Sequence, residues 1–197
     1  MGERLNIEIT KNGNVLANAY YHWSGYTDSA IELTTQILSG FEAVKKKVAR
    51  QKSSNKDLLF AIRLLELTGA GIDFKDKESD RVLTIGNEFK TMIDRNEGII
   101  GVTRNQIEET RNCEEERVEI DIATKMVWFG AFHSFEDDEK EEWMDKRDKI
   151  NEDFDFPIYN LTFEQCFEME KKIYEAVENH CYYFYDEALG CYLSMII

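Results

Sequence analysis

Histidine and proline are scarce in this chain, with three and one residues respectively among 197. His22, His133 and His180 are too widely spaced to share a helix face, so the i, i+4 pair of a zinc site is missing. The four cysteines, Cys113, Cys166, Cys181 and Cys191, contain no C-x-x-C pair, which argues against both a zinc centre and a secreted disulfide framework. Reduced and mostly buried thiols are expected, with no metal and no cofactor. Long apolar runs are also missing. None approaches the roughly 20 residues that span a bilayer, and Met1-Gly2-Glu3-Arg4 leads into a strand-like pattern rather than a signal-peptide core. Asn6 stands where a myristoylation signal needs a small hydroxyl residue. Phosphate-binding glycine loops are absent, and Gly69-Ala70-Gly71 follows an expected helix instead of preceding one, as a helix stop does.

Acidic residues are in surplus. With 39 Asp and Glu against 24 Lys and Arg, the net charge of -15 opposes nucleic-acid backbones and anionic membranes. General nucleic-acid binding is not expected. A hydrophobic fraction of 43% over 197 residues supports one domain with a sizeable core.

The pattern along the chain predicts an α+β domain with mostly antiparallel sheet, built from hairpins packed against helices. Leu5, Ile7 and Ile9 alternate with polar residues, and Lys11-Asn12-Gly13-Asn14 carries the Asn-Gly signal of a tight hairpin. A helix is expected from Thr27 or Asp28, and a second one capped by Asn55. Gly98 to Val102 reads as a buried strand, followed by a Thr103/Gln106 capping box. Val118 to Phe132 reads as another hairpin, Thr162/Gln165 as the opening of a helix, and Cys181 to Ile197 as a last hairpin. Residues 72–96 give no clear pattern. Residues 136–156 form a charged excursion from the single domain spanning 1–197.

Chemistry is concentrated in the stretch YYHWSGYTDS, residues 20–29. On a strand, Tyr20 and His22 point one way and Tyr21 and Trp23 the other, before the chain turns into a helix start. Rings beside free amide groups suit an anion attached to a flat ring, such as a nucleotide. Core packing of Tyr21 and Trp23 is the competing reading. Arginines decide whether an acidic protein can hold an anion. Arg4 and Arg104 are open candidates, whereas Arg111 and Arg117 are expected to pair with Glu114–Glu116.

The motifs Met1-Gly2-x-Arg4, Tyr21-His22-Trp23-x-Gly25-Tyr26, Leu64-Leu65-Glu66-x-x-Gly69-Ala70-Gly71 and Glu116-Arg117-Val118-x-Ile120-Asp121 resemble a group of small proteins encoded by tailed bacteriophages. The likeness extends to about Gly130. It implies a viral accessory protein in a bacterial host cytoplasm. Some phage proteins with a similar opening have a sandwich like that of the N-terminal-nucleophile hydrolases. Met1-Gly2 supplies no such nucleophile, which favours binding over self-processing.

The expected function is a phage counter-defence protein that binds and sequesters a small anionic ligand, foremost a nucleotide immune signal. His22, Trp23 and Tyr26 would supply the rings, Thr103 the helix start, and Arg4 and Arg104 the clamp. Two other readings stay open: an acidic inhibitor docking on a host defence protein, and a hydrolase or lyase acting on a nucleotide with His22 as general base.

Overall fold

The computed structural model describes residues 4–25, 27–72, 98–112, 114–130 and 160–178, with the strand residues 183–185 and 192–194. Most of 72–96, all of 136–156 and the turn of the last hairpin lie outside the described residues.

Strands β1 (Leu5–Lys11) and β2 (Asn14–Tyr21) form the first hairpin. Asn12 and Gly13 both have positive φ, 51° and 78°, the geometry a two-residue turn needs to match strand twist. The register slips between Ile9 and Thr10. On the side of the slip away from the turn, Ala17, Ala19 and Tyr21 share a face with Leu5, Ile7 and Ile9, so that face is apolar from Leu5 to Ile9.

Four more strands complete the sheet: β3 (Ile99–Gly101), β4 (Glu116–Asp121), β5 (Met126–Phe129) and β6 (Asn160–Thr162). The order is β3-β2-β1-β4-β5-β6. Every neighbouring pair is antiparallel except β1 and β4, which run parallel at the centre. The arrangement is a single compact α+β unit with a mostly antiparallel sheet. Short strands β7 (Tyr183–Tyr185) and β8 (Tyr192–Ser194) pair separately as a ribbon.

Among the described residues, three helices cover the apolar face: α1 (Thr27–Ala49), α2 (Lys56–Leu65) and α4 (Phe163–Glu178). The Asn55 side chain caps α2 by accepting from Leu58 N, and the Thr162/Gln165 box opens α4. Gly69 ends the turn after α2 at φ +81°, a conformation that favours glycine. At the centre, Phe41 of α1 meets Phe60 and Phe163 edge to face, each at 5.1 Å, joining the three helices through one ring. Burial pushes the Cys166 thiol up to about 12, so this cysteine serves as packing rather than as a nucleophile. No helix among the described residues is long and apolar enough to cross a membrane.

The opposite face is different. Asn6, Glu8, Thr10 and Asn18 point there, and all are buried. The short helix α3 (Arg104–Arg111) lies over β2 and β3, capped at Thr103 by a full capping box and burying Ile107 and Thr110.

Candidate functional site

The end of β2 and the start of β1 meet at one sheet edge. Leu5 pairs with Tyr21 and with Glu116, so the next positions outward are Arg4, His22 and Glu115. The Arg4 backbone is gripped from the β4 side. Its carbonyl accepts from Glu115 N at 3.1 Å and Glu116 N at 2.9 Å, and its amide donates to Glu115 Oε2 at 2.8 Å. The Arg4 Nε is buried without a hydrogen-bond partner among the described residues. A buried donor left unpaired costs about 1–3 kcal/mol.

His22 lies on the same face as Tyr20, as strand alternation predicts, with Tyr20 Oη 3.0 Å from its Nδ1. Desolvation first, and the Arg4 charge second, lower the His22 pKa against an opposing effect of Glu115. The lowered value favours the neutral imidazole at pH 7. Trp23 meets it edge-on, with ring centroids 4.8 Å apart at 85°.

Trp23 does not follow Tyr21 into the core. The strand ends at Tyr21, so alternation stops there, and the indole is 42% exposed. Tyr21 alone is the core anchor, its hydroxyl paired with Thr68 and its pKa raised by burial. Tyr26 lies outside the described residues, as do the side chains at the start of α1.

The remaining candidates are elsewhere. β3 runs antiparallel to β2, with Ile99 opposite Tyr20 and Gly101 opposite Asn18, so the chain beyond Gly101 moves away from His22. Thr103 is engaged in capping α3, accepting from Gln106 N. Arg104 is 89% exposed and bonds Glu108 one turn along. The sheet brings Arg4, His22 and Trp23 together and leaves Thr103 and Arg104 at the other end of β3.

Arg117 pairs with Glu114, as expected, but Arg111 does not join that acidic run. Its Nε and Nη2 donate to the two carboxylate oxygens of Glu8 at 2.5 and 2.6 Å. The reason is topological: α3 crosses the polar face and delivers Arg111 over β1, within reach of a fully buried carboxylate. Beside this pair runs a chain of hydrogen bonds. Asn18 Nδ2 donates to Thr110 Oγ1 and to Asn6 Oδ1, and Asn6 Nδ2 donates to Glu114, which also accepts from Arg117 Nε.

The sequence reading missed Glu115, because an acid run reads as a solvated face, and missed the buried roles of Asn6, Glu8 and Asn18. Asn18 carried a usable signal, a lone amide between Ala17 and Ala19 in an apolar strand. Among the described residues no group of His, Cys, Asp or Glu side chains converges as a metal site. No protein-family model, no curated protein and no solved structure matches this chain, and the reading of the rim rests on its own geometry.

Proposed function

We propose that the rim formed by Arg4, His22 and Trp23 binds and holds a small ligand that joins an anionic group to a flat ring, foremost a nucleotide-derived immune signal in a phage-infected bacterium. The observation that carries this reading is the buried Nε of Arg4, without a partner among the described residues, beside a histidine of lowered pKa and a half-exposed tryptophan. A charge-assisted bond to phosphate suits this donor, and an indole face suits a base. Holding is favoured over turnover because, among the described residues, His22 bonds Tyr20 and no carboxylate orients it as a base. The overall charge of -15 disfavours anions at long range, but screening limits that field to about 10 Å at 0.1 M salt, and a paired guanidinium acts at contact.

The test is incubation with a panel of cyclic dinucleotides and ADP-ribose derivatives, removal of free nucleotide, and chromatography of what heat releases. Release of an intact nucleotide supports sequestration. A chemically altered nucleotide establishes an enzyme instead, and retention of none overturns the reading.

A further inference from the structure

We infer that α3 and the turn that follows it are a detachable clasp whose docking sets the position of Arg4, so that occupancy of the rim and closure of α3 are linked. This inference rests on the binding reading above and adds its regulation.

Four features carry it. First, α3 has eight residues and buries only Ile107 and Thr110, whereas an isolated helix shorter than about 12 residues is marginal in water. Its stability must come from docking. Second, that docking is largely polar: Asn18 Nδ2 to Thr110 Oγ1 at 2.5 Å, and the paired bonds from Arg111 to Glu8. Third, the main apolar cluster lies on the other face, drawing on β1, β2, β4 and the three covering helices and on no residue of α3. The clasp can therefore leave without opening the core, the behaviour of a sub-global unit. Fourth, Glu114 and Glu115, soon after α3 in sequence, lie at the rim. Glu114 accepts from Asn6 and Arg117, and Glu115 bonds the Arg4 backbone at both its amide and its carbonyl.

Lifting α3 together with Glu114 and Glu115 thus removes one of the two amides on the Arg4 carbonyl and the carboxylate that holds its N–H, while Glu116, the first residue of β4, stays paired with β1. The guanidinium is then no longer fixed beside His22. A ligand that needs Arg4 in place favours the docked state, and anything that loosens α3 weakens the ligand by the same factor.

The test is native-state hydrogen exchange, read by NMR on the full chain without ligand. The amides of Ile107 and Asn112 in and after α3, and that of Glu115 on the Arg4 carbonyl, are expected to exchange together through one opening, ahead of Ile7 and Ile9 in β1. Thr103→Ala removes only an exposed cap and should speed both groups by the same factor, about tenfold. Arg111→Lys, which keeps the charge and loses the paired geometry, should act in the same direction. Faster exchange in α3 with Glu115 unchanged would overturn the linkage, as would α3 amides that exchange only with β1. No ligand enters this measurement, so its failure is distinct from failure of the nucleotide panel.

Discussion

Arg111 on α3 holds Glu8 on β1 through two bonds of 2.5 and 2.6 Å across 103 positions of sequence, and the Glu8 side chain is wholly buried. Breaking such a pair on one side strands a charge in a low-dielectric site, whereas replacing both partners does not. Arg111→Ala is expected to cost about 3 kcal/mol by urea unfolding, the Arg111 end being one-third exposed. The Glu8→Gln/Arg111→Met double variant should recover more than half of that loss. Equal losses in the two proteins would place the contribution elsewhere.

A second prediction concerns acid. Asp121 Oδ1 accepts from Ala123 N at 2.7 Å and Thr124 N at 3.0 Å, and the amides of Asn12 and Gly13 also act on the carboxylate. One side chain thus ties the tips of two hairpins. Burial opposes ionisation here, but the four amides outweigh it and lower the pKa. A carboxylate with a depressed folded-state pKa contributes stability that is present above the unfolded value of about 4 and lost as pH falls toward the folded value. Asp121→Asn should therefore cost about 1 kcal/mol at pH 7 after allowance for solvent screening, and less at pH 2. Urea unfolding at the two pH values reads the difference, and a cost independent of pH contradicts it.

At Gly98 an added Cβ would fall 2.4 and 2.6 Å from ring atoms of Tyr21 and 2.8 Å from Ala70 Cβ. Tyr21 is a fixed core ring and cannot swing away. Gly98→Ala should lower stability by about 1–3 kcal/mol, visible as an earlier thermal midpoint. An unchanged midpoint means that β3 shifts freely at this edge.

Much of this fold is legible in local signals. Asn12-Gly13, Asn55, Thr103 with Gln106 and Thr162 with Gln165 each place an element boundary where the structure has one, because turn and cap chemistry acts over a few residues. The parallel join of β1 to β4 is not legible, since it depends on a pairing across more than a hundred residues. The burial of Glu8 and Asn6 follows from that join and from α3 lying over it. Without them, the polar half of β1 reads as a solvated face. The rim shows the same division. Arg4 and His22 meet because they extend a hairpin register, whereas Arg104 is carried off by the direction of β3.

Trp23 is 42% exposed, so its removal separates binding from folding. Trp23→Ala is expected to weaken a stacked nucleotide by about 1–3 kcal/mol, one to two decades in affinity, with a loss of stability of about 1 kcal/mol or less. Titration calorimetry with the retained nucleotide and a thermal melt read the two quantities. A large fall in melting point with unchanged affinity makes the ring a packing element.

The most direct measurement is calorimetric titration of the parent protein and Arg4→Gln with the same panel of cyclic dinucleotides and ADP-ribose derivatives. Glutamine keeps much of the side-chain length and removes the charge that the buried Nε, without a partner among the described residues, brings to the rim. The expected result is at least one nucleotide bound by the parent and held tenfold or more weakly by Arg4→Gln, in line with about 1.5–3 kcal/mol for a charge-assisted bond, at an unchanged melting point. Binding of equal strength in both proteins, or no binding by the parent, contradicts a nucleotide-holding rim at Arg4.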